Sequence, residues 1–167
     1  MNKKYILFGM TTVLMILLDQ ITKVYIDTSM QLHDSLPVIQ GFFSITYVRN
    51  PGAAFGFLAG ASPLFRYLFF VAVTVTAIVL ILFYLRKNRE EEQRVTFSLS
   101  LILSGAIGNL IDRVRLGEVI DFLDVYFGSY HWPAFNVADS AISIGAVILL
   151  IELIRRGKGR DIDVNDR

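Results

Sequence analysis

Cysteine is absent from this chain of 167 residues, and the absence excludes several kinds of chemistry at once. Without a thiol the chain can form no disulfide, offer no thiolate to a metal ion and use no cysteine nucleophile. Carboxylates, hydroxyls and the two histidines remain as candidate reactive groups.

Histidine is almost as scarce, and the two that occur do not suggest a site. His33 and His131 have no ligand-like spacing to carboxylates, so we expect no metal ion. The chain has no G-x-S-x-G pattern, and no long apolar segment contains a histidine that could activate a serine. We expect no cofactor of any other kind.

Charge is sparse, whereas apolar residues are in excess. Only 19% of the residues are charged and the formal net charge is +1, which gives no general attraction to nucleic acid. Hydrophobic residues make up 54% of the chain, more than a soluble domain of this size needs for its core. The excess predicts a membrane protein that does not bind nucleic acid.

Four segments are long and apolar enough to span a bilayer, which takes about 20 residues in a helix. The first follows Lys3 and Lys4 but is too long for the apolar part of a signal peptide, and no small-x-small cleavage site follows it. We therefore expect it to be a transmembrane helix. The predicted spans are about 5–24, 66–85, 95–111 and 137–154.

Basic residues concentrate in the N-terminus, in the charged turn at 86–94 and in the polar tail, which predicts that these three segments are cytoplasmic. Loops at about 25–65 and 112–136 would then lie outside. The resulting prediction is a single all-α polytopic membrane domain over residues 1–167, with both termini cytoplasmic and a flexible tail at about 157–167.

The two outer loops carry different signals. In the first, residues 42–48 are β-branched and aromatic and run into a turn signal at 50–52, which predicts a small sheet at the outer membrane surface. A plain hairpin packed on the helix ends is the alternative. Residues 119–127 of the second loop predict a short amphipathic or irregular surface segment, a loop or a helix. Aromatic residues expected at the lipid interface are Phe42, Phe43, Phe55 and Phe57.

Nine polar residues at the outer ends of the predicted spans and in the outer loops fall into one layer near the outer surface, whereas Glu152 lies near the inner end of the fourth span. Each ionisable group inside a membrane is costly, by roughly 2.5 to 3.5 kcal/mol at a helix centre, so their collection in one layer points to a site. The layer contains Asp19, Lys23, Asn50, Asn109, Asp112, Arg113, Asp121, Asn136 and Asp139.

Two neighbouring carboxylates in such a layer predict hydrolytic chemistry. One holds a proton while the other stays charged, so the pair can act as acid and base on an amide. Asp139 is the first choice because it lies in the first turns of a span without a partner on its own helix. Either Asp121 or Asp124, which would share a face if helical, could be the second carboxylate.

Other charged residues of the layer have simpler uses. Asp19 and Lys23 are spaced i, i+4 and can form an ion pair with each other. Asp112 adjoins Arg113 and lies near Arg115, which also favours an ion pair.

Small residues spaced four apart predict that the third and fourth spans pack closely, as Ser104 and Gly108 do on one and Ala141 and Gly145 on the other.

Several short motifs, in order along nearly the whole chain, resemble the bacterial lipoprotein signal peptidases. The first span ends like that family's D-x-x-[ST]-K, and the outer turn resembles its N-x-G-x-x-F-[GS]. Further matches resemble G-x-x-G-N-x-x-D-R, V-x-D-F and F-N-x-A-D-x-x-I. In this chain the motifs read DQITK at 19–23, NPGAAFG at 50–56, GAIGNLIDR at 105–113, VIDF at 119–122 and FNVADSAI at 135–142.

The resemblance implies an aspartic endopeptidase with Asp121 and Asp139 as catalytic pair. It implies that Asp19 and Lys23 brace the first helix. Its implied substrate is the signal peptide of a prolipoprotein, cut before a diacylglyceryl-modified cysteine at the periplasmic face of the bacterial inner membrane. Membrane lipid would be the other partner of an expected monomer. Residues implied to support substrate and dyad are Asn50, Gly52, Gly105, Asn109, Arg113, Asn136 and Ala138.

Two other functions compete with the peptidase. A small proton- or ion-coupled transporter would use Asp19, Lys23, Asp121 and Asp139 as a relay, but the middle of each predicted span is apolar. A non-catalytic assembly factor would use the polar layer as a binding surface.

Overall fold

The computed structural model describes residues 2–52, 57–58 and 60–165, with side chains as far as residue 156. These described residues form four long helices and four strands. In chain order these are α1 (Lys3–Ser29), β1 (Ser35–Ile39), β2 (Phe43–Asn50), α2 (Pro63–Lys87), α3 (Gln93–Leu116), β3 (Val119–Phe127), β4 (Tyr130–His131) and α4 (Val137–Asn165).

The helices lie on the four segments expected to span, and each is long and apolar enough to cross a membrane. Helix α3 is central: 67% of the residues in its most apolar stretch are buried, against 17% to 22% in the other three. Those three helices expose rows of large apolar side chains, which suits contact with lipid. The fold is that of a polytopic membrane protein.

Local signals explain where two of the helices begin and another ends. The Asn2 side chain accepts a hydrogen bond from the Lys4 backbone N–H at 2.9 Å and caps α1. Ser62 caps α2 in the same way, with Pro63 in its first turn. Helix α3 stops at Gly117, whose φ of +77° is left-handed and unfavourable for other residues.

Small residues bring α3 and α4 into close contact, as predicted. A Cβ added at Gly145 would lie 2.7 Å from the Ser98 carbonyl oxygen, closer than real Cβ contacts. One added at Gly105 would overlap the Ala138 carbonyl oxygen. Because this approach involves the first turn of α4, it places that turn against the middle of α3.

An antiparallel sheet in the order β1-β2-β3-β4 lies at one end of the helices. The strand predicted at 42–48 is present as β2. The prediction for residues 119–127 was wrong, because they form β3 and not a surface loop or helix. Their β-branched and aromatic side chains suit a strand that pairs with β2 and is buried on both faces along most of its length.

The strand separates the two aspartates that a helix would have placed together. Side chains three residues apart in a strand point to opposite faces. Asp121 lies opposite Val48, and Asp124 opposite Ser44.

Helix α4 continues to Asn165, so the backbone of the expected tail is helical to that residue.

Phe42 and Phe57, which were expected at the lipid interface, are exposed, whereas Phe43 is half-buried. Phe55 and the rest of the motif at 53–56 lie outside the described residues.

Candidate active site

A cavity of about 510 Å³ opens where the sheet meets the ends of α3 and α4. Both aspartates that the family resemblance singled out line it, and so do three of the predicted supporting residues. The lining consists of Asn50, Asn109, Arg113, Val119, Asp121, Trp132, Pro133, Ala134, Phe135, Asp139, Ser140, Ile142, Ser143 and Ile144.

Asn136 joins the two aspartates. Its side-chain Nδ2 donates to Asp121 Oδ1 at 2.7 Å, and its backbone N–H donates to Asp139 Oδ2 at 3.2 Å. The Asn136 side chain is fully buried, at 0% exposure. One residue therefore fixes the position of both carboxylates relative to each other.

Each carboxylate also accepts a hydrogen bond from a second asparagine. Asn50 Nδ2 donates to Asp121 Oδ2 at 3.0 Å, and Asn109 Nδ2 donates to Asp139 Oδ1 at 2.8 Å. Asn50 is itself held in place because its Oδ1 accepts from the backbone N–H of Gly52 at 3.0 Å. This side-chain turn is what the Asn-Pro-Gly sequence favours.

Burial of Asp121 has an electrostatic consequence. The carboxyl is 2% exposed, and the loss of water raises its pKa to about 7, with the charge of Asp139 adding to the rise. Hydrogen bonds from Asn50 and Asn136 oppose the shift but do not cancel it. Near neutral pH Asp121 can therefore carry a proton.

Arg113 supplies positive charge beside the carboxylates, and its charge interacts with those of Asp139 and Asp121. Its guanidinium lies 4.3 Å from the centre of the Phe70 ring, and its Nη2 donates to the Gly52 carbonyl oxygen at 3.1 Å. The buried Nε has no hydrogen-bond partner among the described residues. Arg113 thus connects α2, α3 and the turn after β2.

Behind the carboxylates lies a buried ion cluster. Lys23 Nζ is 3.0 Å from Asp19 Oδ2 and 2.9 Å from Asp112 Oδ2. The predicted pair of Asp19 with Lys23 is confirmed. The prediction that Asp112 forms an ion pair is also confirmed, but its partner is Lys23 and not Arg113. Arg113 is excluded because consecutive residues of a helix point in different directions.

The ion cluster also connects the helices to the site. Asp19 Oδ1 accepts from the backbone N–H of Ala138 at 2.9 Å, in the first turn of α4. Asp112 Oδ2 accepts from the Ile120 N–H at 3.2 Å, next to Asp121. Gly108 leaves room for Asp19, since a Cβ there would lie 2.5 Å from Asp19 Oδ2.

Asp124, the alternative second carboxylate, has a different environment. Both of its carboxylate oxygens lie 3.0 Å from His131 Nδ1. The His131 ring in turn stacks on Tyr126. Asp124 is absent from the cavity lining, so of these two candidates it is Asp121 that shares the cavity with Asp139.

Some residues around the site carried no signal in the sequence. Gln20 Nε2 donates to both Asp19 and Asp112, but it occupies an unspecified position of its motif. Phe70 resembles any other apolar residue of α2. Among the described residues, no group of three or more His, Cys, Asp or Glu side chains could hold a metal ion.

Together, fold and site define a multi-pass membrane protein with two aspartates in one cavity at the end of its helices. A family model described as signal peptidase (SPase) II matches residues 11–155. The chain belongs to the signal peptidase II family, a family of proteases.

Individual proteins and structures agree with this assignment. A lipoprotein signal peptidase of Syntrophus aciditrophicus (strain SB) is 61% identical over 158 residues, covering 95% of this chain and 98% of that protein. A lipoprotein signal peptidase of Bacillus pumilus (strain SAFR-032) is 46% identical, covering 86% and 90%. A solved structure of a bacterial membrane enzyme superposes with a TM-score of 0.83 at 36% identity, covering 91% and 90%.

Proposed function

We propose that this protein is an aspartic endopeptidase that removes the signal peptide from diacylglyceryl-modified prolipoproteins, cutting just before the lipidated cysteine. Its membership of the signal peptidase II family and its 61% identity to a lipoprotein signal peptidase support the substrate. The observation that carries the catalytic assignment is that Asp121 and Asp139 line one cavity and are both bound by Asn136.

The two carboxylates would divide the work of hydrolysis. Asp139, ionised, takes a proton from water, and the hydroxide adds to the scissile carbonyl carbon. Asp121, which can hold a proton near neutral pH because its pKa is about 7, donates a hydrogen bond to the carbonyl oxygen in its protonated form. The carbon–nitrogen bond then breaks, and the pair delivers one proton to the leaving nitrogen. No metal ion or cofactor is required.

The supporting residues would hold this arrangement. Asn50, Asn109 and Asn136 donate to the carboxylates and fix their positions at the cavity. Arg113 lines the cavity and offers positive charge toward polar groups of the substrate. Gly105 and Ala138 allow α4 to approach α3, so that Asp139 faces Asn109.

Membrane orientation follows from the positions of the basic residues. Lys4 at the start of α1 donates to the Leu85 and Asn88 carbonyl oxygens, so the N-terminus and the basic 86–94 turn meet at one end. The cavity lies at the other end. By the positive-inside rule both termini would be cytoplasmic, and the cavity would face the periplasm across the bacterial inner membrane.

Lipid contact would occur around the sheet and the bundle. Phe42 and Phe57 are 51% and 57% exposed, as expected of aromatic rings at a membrane interface. Ile142 and Ile144 extend the cavity lining down α4, where the acyl chains of a lipidated substrate could remain in hydrocarbon.

The protein would act as a monomer. The transporter hypothesis is set aside, because Asp19 and Lys23 are engaged in a buried ion cluster.

A substrate comparison tests the proposal. Purified protein in detergent would be incubated with a diacylglyceryl-modified prolipoprotein and with its unmodified form, and the products identified by mass spectrometry. We expect cleavage before the modified cysteine and little cleavage of the unmodified form. Equal cleavage of both, or of neither, would contradict the proposed substrate.

A further inference from the structure

The side-chain amide of Asn109 lies between a cation and a catalytic carboxylate. Its Oδ1 accepts from Lys23 Nζ at 2.9 Å, and its Nδ2 donates to Asp139 Oδ1 at 2.8 Å. Asn136 Nδ2 also donates to the same Oδ1, at 3.2 Å. Asn109 therefore meets donors on its oxygen side and the carboxylate on its nitrogen side.

Lys23 permits only one orientation of this amide. A lysine ammonium has three donors and no acceptor. If the Asn109 amide were rotated by half a turn, its NH₂ group would face the ammonium of Lys23, and two donors would be opposed in a buried site. Asn136 Nδ2 reinforces the same orientation.

The orientation of Asn109 decides which protonation state of Asp139 is accommodated. An NH₂ group that donates to the carboxylate stabilises its ionised form. The rotated amide would instead present its oxygen, which could accept a proton from a neutral Asp139. Because Lys23 excludes the rotated amide, it favours ionised Asp139 without touching it.

We infer that Lys23 is a positioning residue for the reaction, which acts through the Asn109 amide to keep Asp139 ionised and so directs the shared proton to Asp121. The inference rests on the proposed function and adds a specific role for the buried ammonium beyond bracing α1. The Lys23 side chain is only 2% exposed, so water cannot replace it as a donor.

Charged groups from every neighbouring element face this arrangement and must be considered in a test. Asp19 of α1 and Asp112 of α3 both pair with Lys23. Arg113 of α3 and Asp121 of β3 lie on the cavity side, near Asp139. Removing the ammonium alone would leave two buried carboxylates without their cation, which can itself unfold the protein.

A charge-balanced variant separates positioning from this simple loss of an ion pair. Lys23→Met/Asp112→Asn removes one positive and one negative charge, so the cluster keeps its net charge while Asn109 loses the ammonium. The matched control is Gln20→Met, which removes a polar side chain that touches Asp19 and Asp112 but not Asn109. Folding is checked by circular dichroism and gel filtration.

The measurement is the pH profile of kcat/KM with lipidated prolipoprotein, together with kcat and KM at each pH. For the charge-balanced variant we expect the acidic limb of the profile to move to higher pH, kcat to fall roughly 10- to 100-fold as expected for a displaced catalytic group, and KM to change little. Gln20→Met should lose thermal stability but keep the wild-type acidic limb.

Several results would overturn the inference. One is an acidic limb unchanged in the charge-balanced variant, whatever its activity. Another is an equal shift in Gln20→Met. If the double variant does not fold, Lys23→Leu/Asp112→Asn takes its place with the same expected shift, and failure of both to fold would count against the inference. Failure of the proposed function is recognised separately, because the wild-type protein would then not cleave the substrate.

Discussion

Asn136 and Asp139 bind each other twice at the start of α4. The Asp139 backbone N–H donates to Asn136 Oδ1 at 2.9 Å, and the Asn136 backbone N–H donates to Asp139 Oδ2 at 3.2 Å. This is the geometry of a capping box, with asparagine as the cap and aspartate three residues later. The carboxylate proposed to be catalytic is thus oriented by the same bonds that begin its helix.

Two substitutions at Asn136 should separate capping from its contact with Asp121. Asn136→Ala removes the cap and should destabilise the protein by roughly 0.5 to 2 kcal/mol. Asn136→Ser restores a capping oxygen but not the NH₂ group that donates to Asp121. We expect thermal unfolding in detergent to show recovered stability in the serine variant, while kcat stays roughly 10- to 100-fold below wild type. Full activity in the serine variant would contradict this role.

The close packing of α3 on α4 predicts a sharp difference between two glycines. Gly105→Ala should destabilise by roughly 1 to 3 kcal/mol, because the added methyl group overlaps the Ala138 carbonyl oxygen. It should also reduce kcat by displacing the first turn of α4. The control is Gly9→Ala on α1, where an added Cβ meets nothing within 4 Å. Thermal unfolding and turnover of the two variants check the prediction, which fails if both behave alike.

The pKa of Asp121 predicts how activity depends on pH. Because burial raises that pKa to about 7, the acid form is lost as the pH rises through this value. We expect kcat/KM to fall on an alkaline limb with an apparent pKa near 7, a value that belongs to the aspartate pair. A profile that stays flat between pH 6 and 9 would be inconsistent with Asp121 as the acid.

The same pKa also predicts an effect on stability. A carboxyl with a raised pKa binds more protons in the folded than in the unfolded state, so its contribution to stability falls as the pH rises from about 4 to about 7. Asp121→Asn lacks this titration. Its melting temperature should approach that of wild type near pH 4.5 and exceed it above pH 7. Parallel curves for the two proteins would contradict the pKa.

The sequence predicts the four helices because the bilayer demands long apolar segments, and this demand is visible without any tertiary information. The strand at 35–39 is different. Pro37 interrupts a short segment, all five residues are exposed, and the strand exists only through pairing with β2. No local pattern could have revealed it.

Within the site, Asp139 could be chosen from its position in a span, whereas Asp121 and Asp124 could not be separated on physical grounds. The decision depends on residues 119–127 being a strand, since a helix would place both carboxylates on one side. Pairing with β2 decides this, and pairing depends on residues far away in the sequence, such as Val48 for Asp121. The partner of Asp112 also required the fold, because Lys23 lies on another helix.

Turnover of three single variants would test most directly whether Asp121 and Asp139 carry the reaction. Asp121→Asn and Asp139→Asn should each lose kcat by roughly 10²- to 10⁴-fold or more on lipidated prolipoprotein, while still binding it. Asp124→Asn, on the same strand but bonded to His131, should retain activity close to wild type. Cleavage that persists in either of the first two variants, or a comparable loss in Asp124→Asn, would contradict the account.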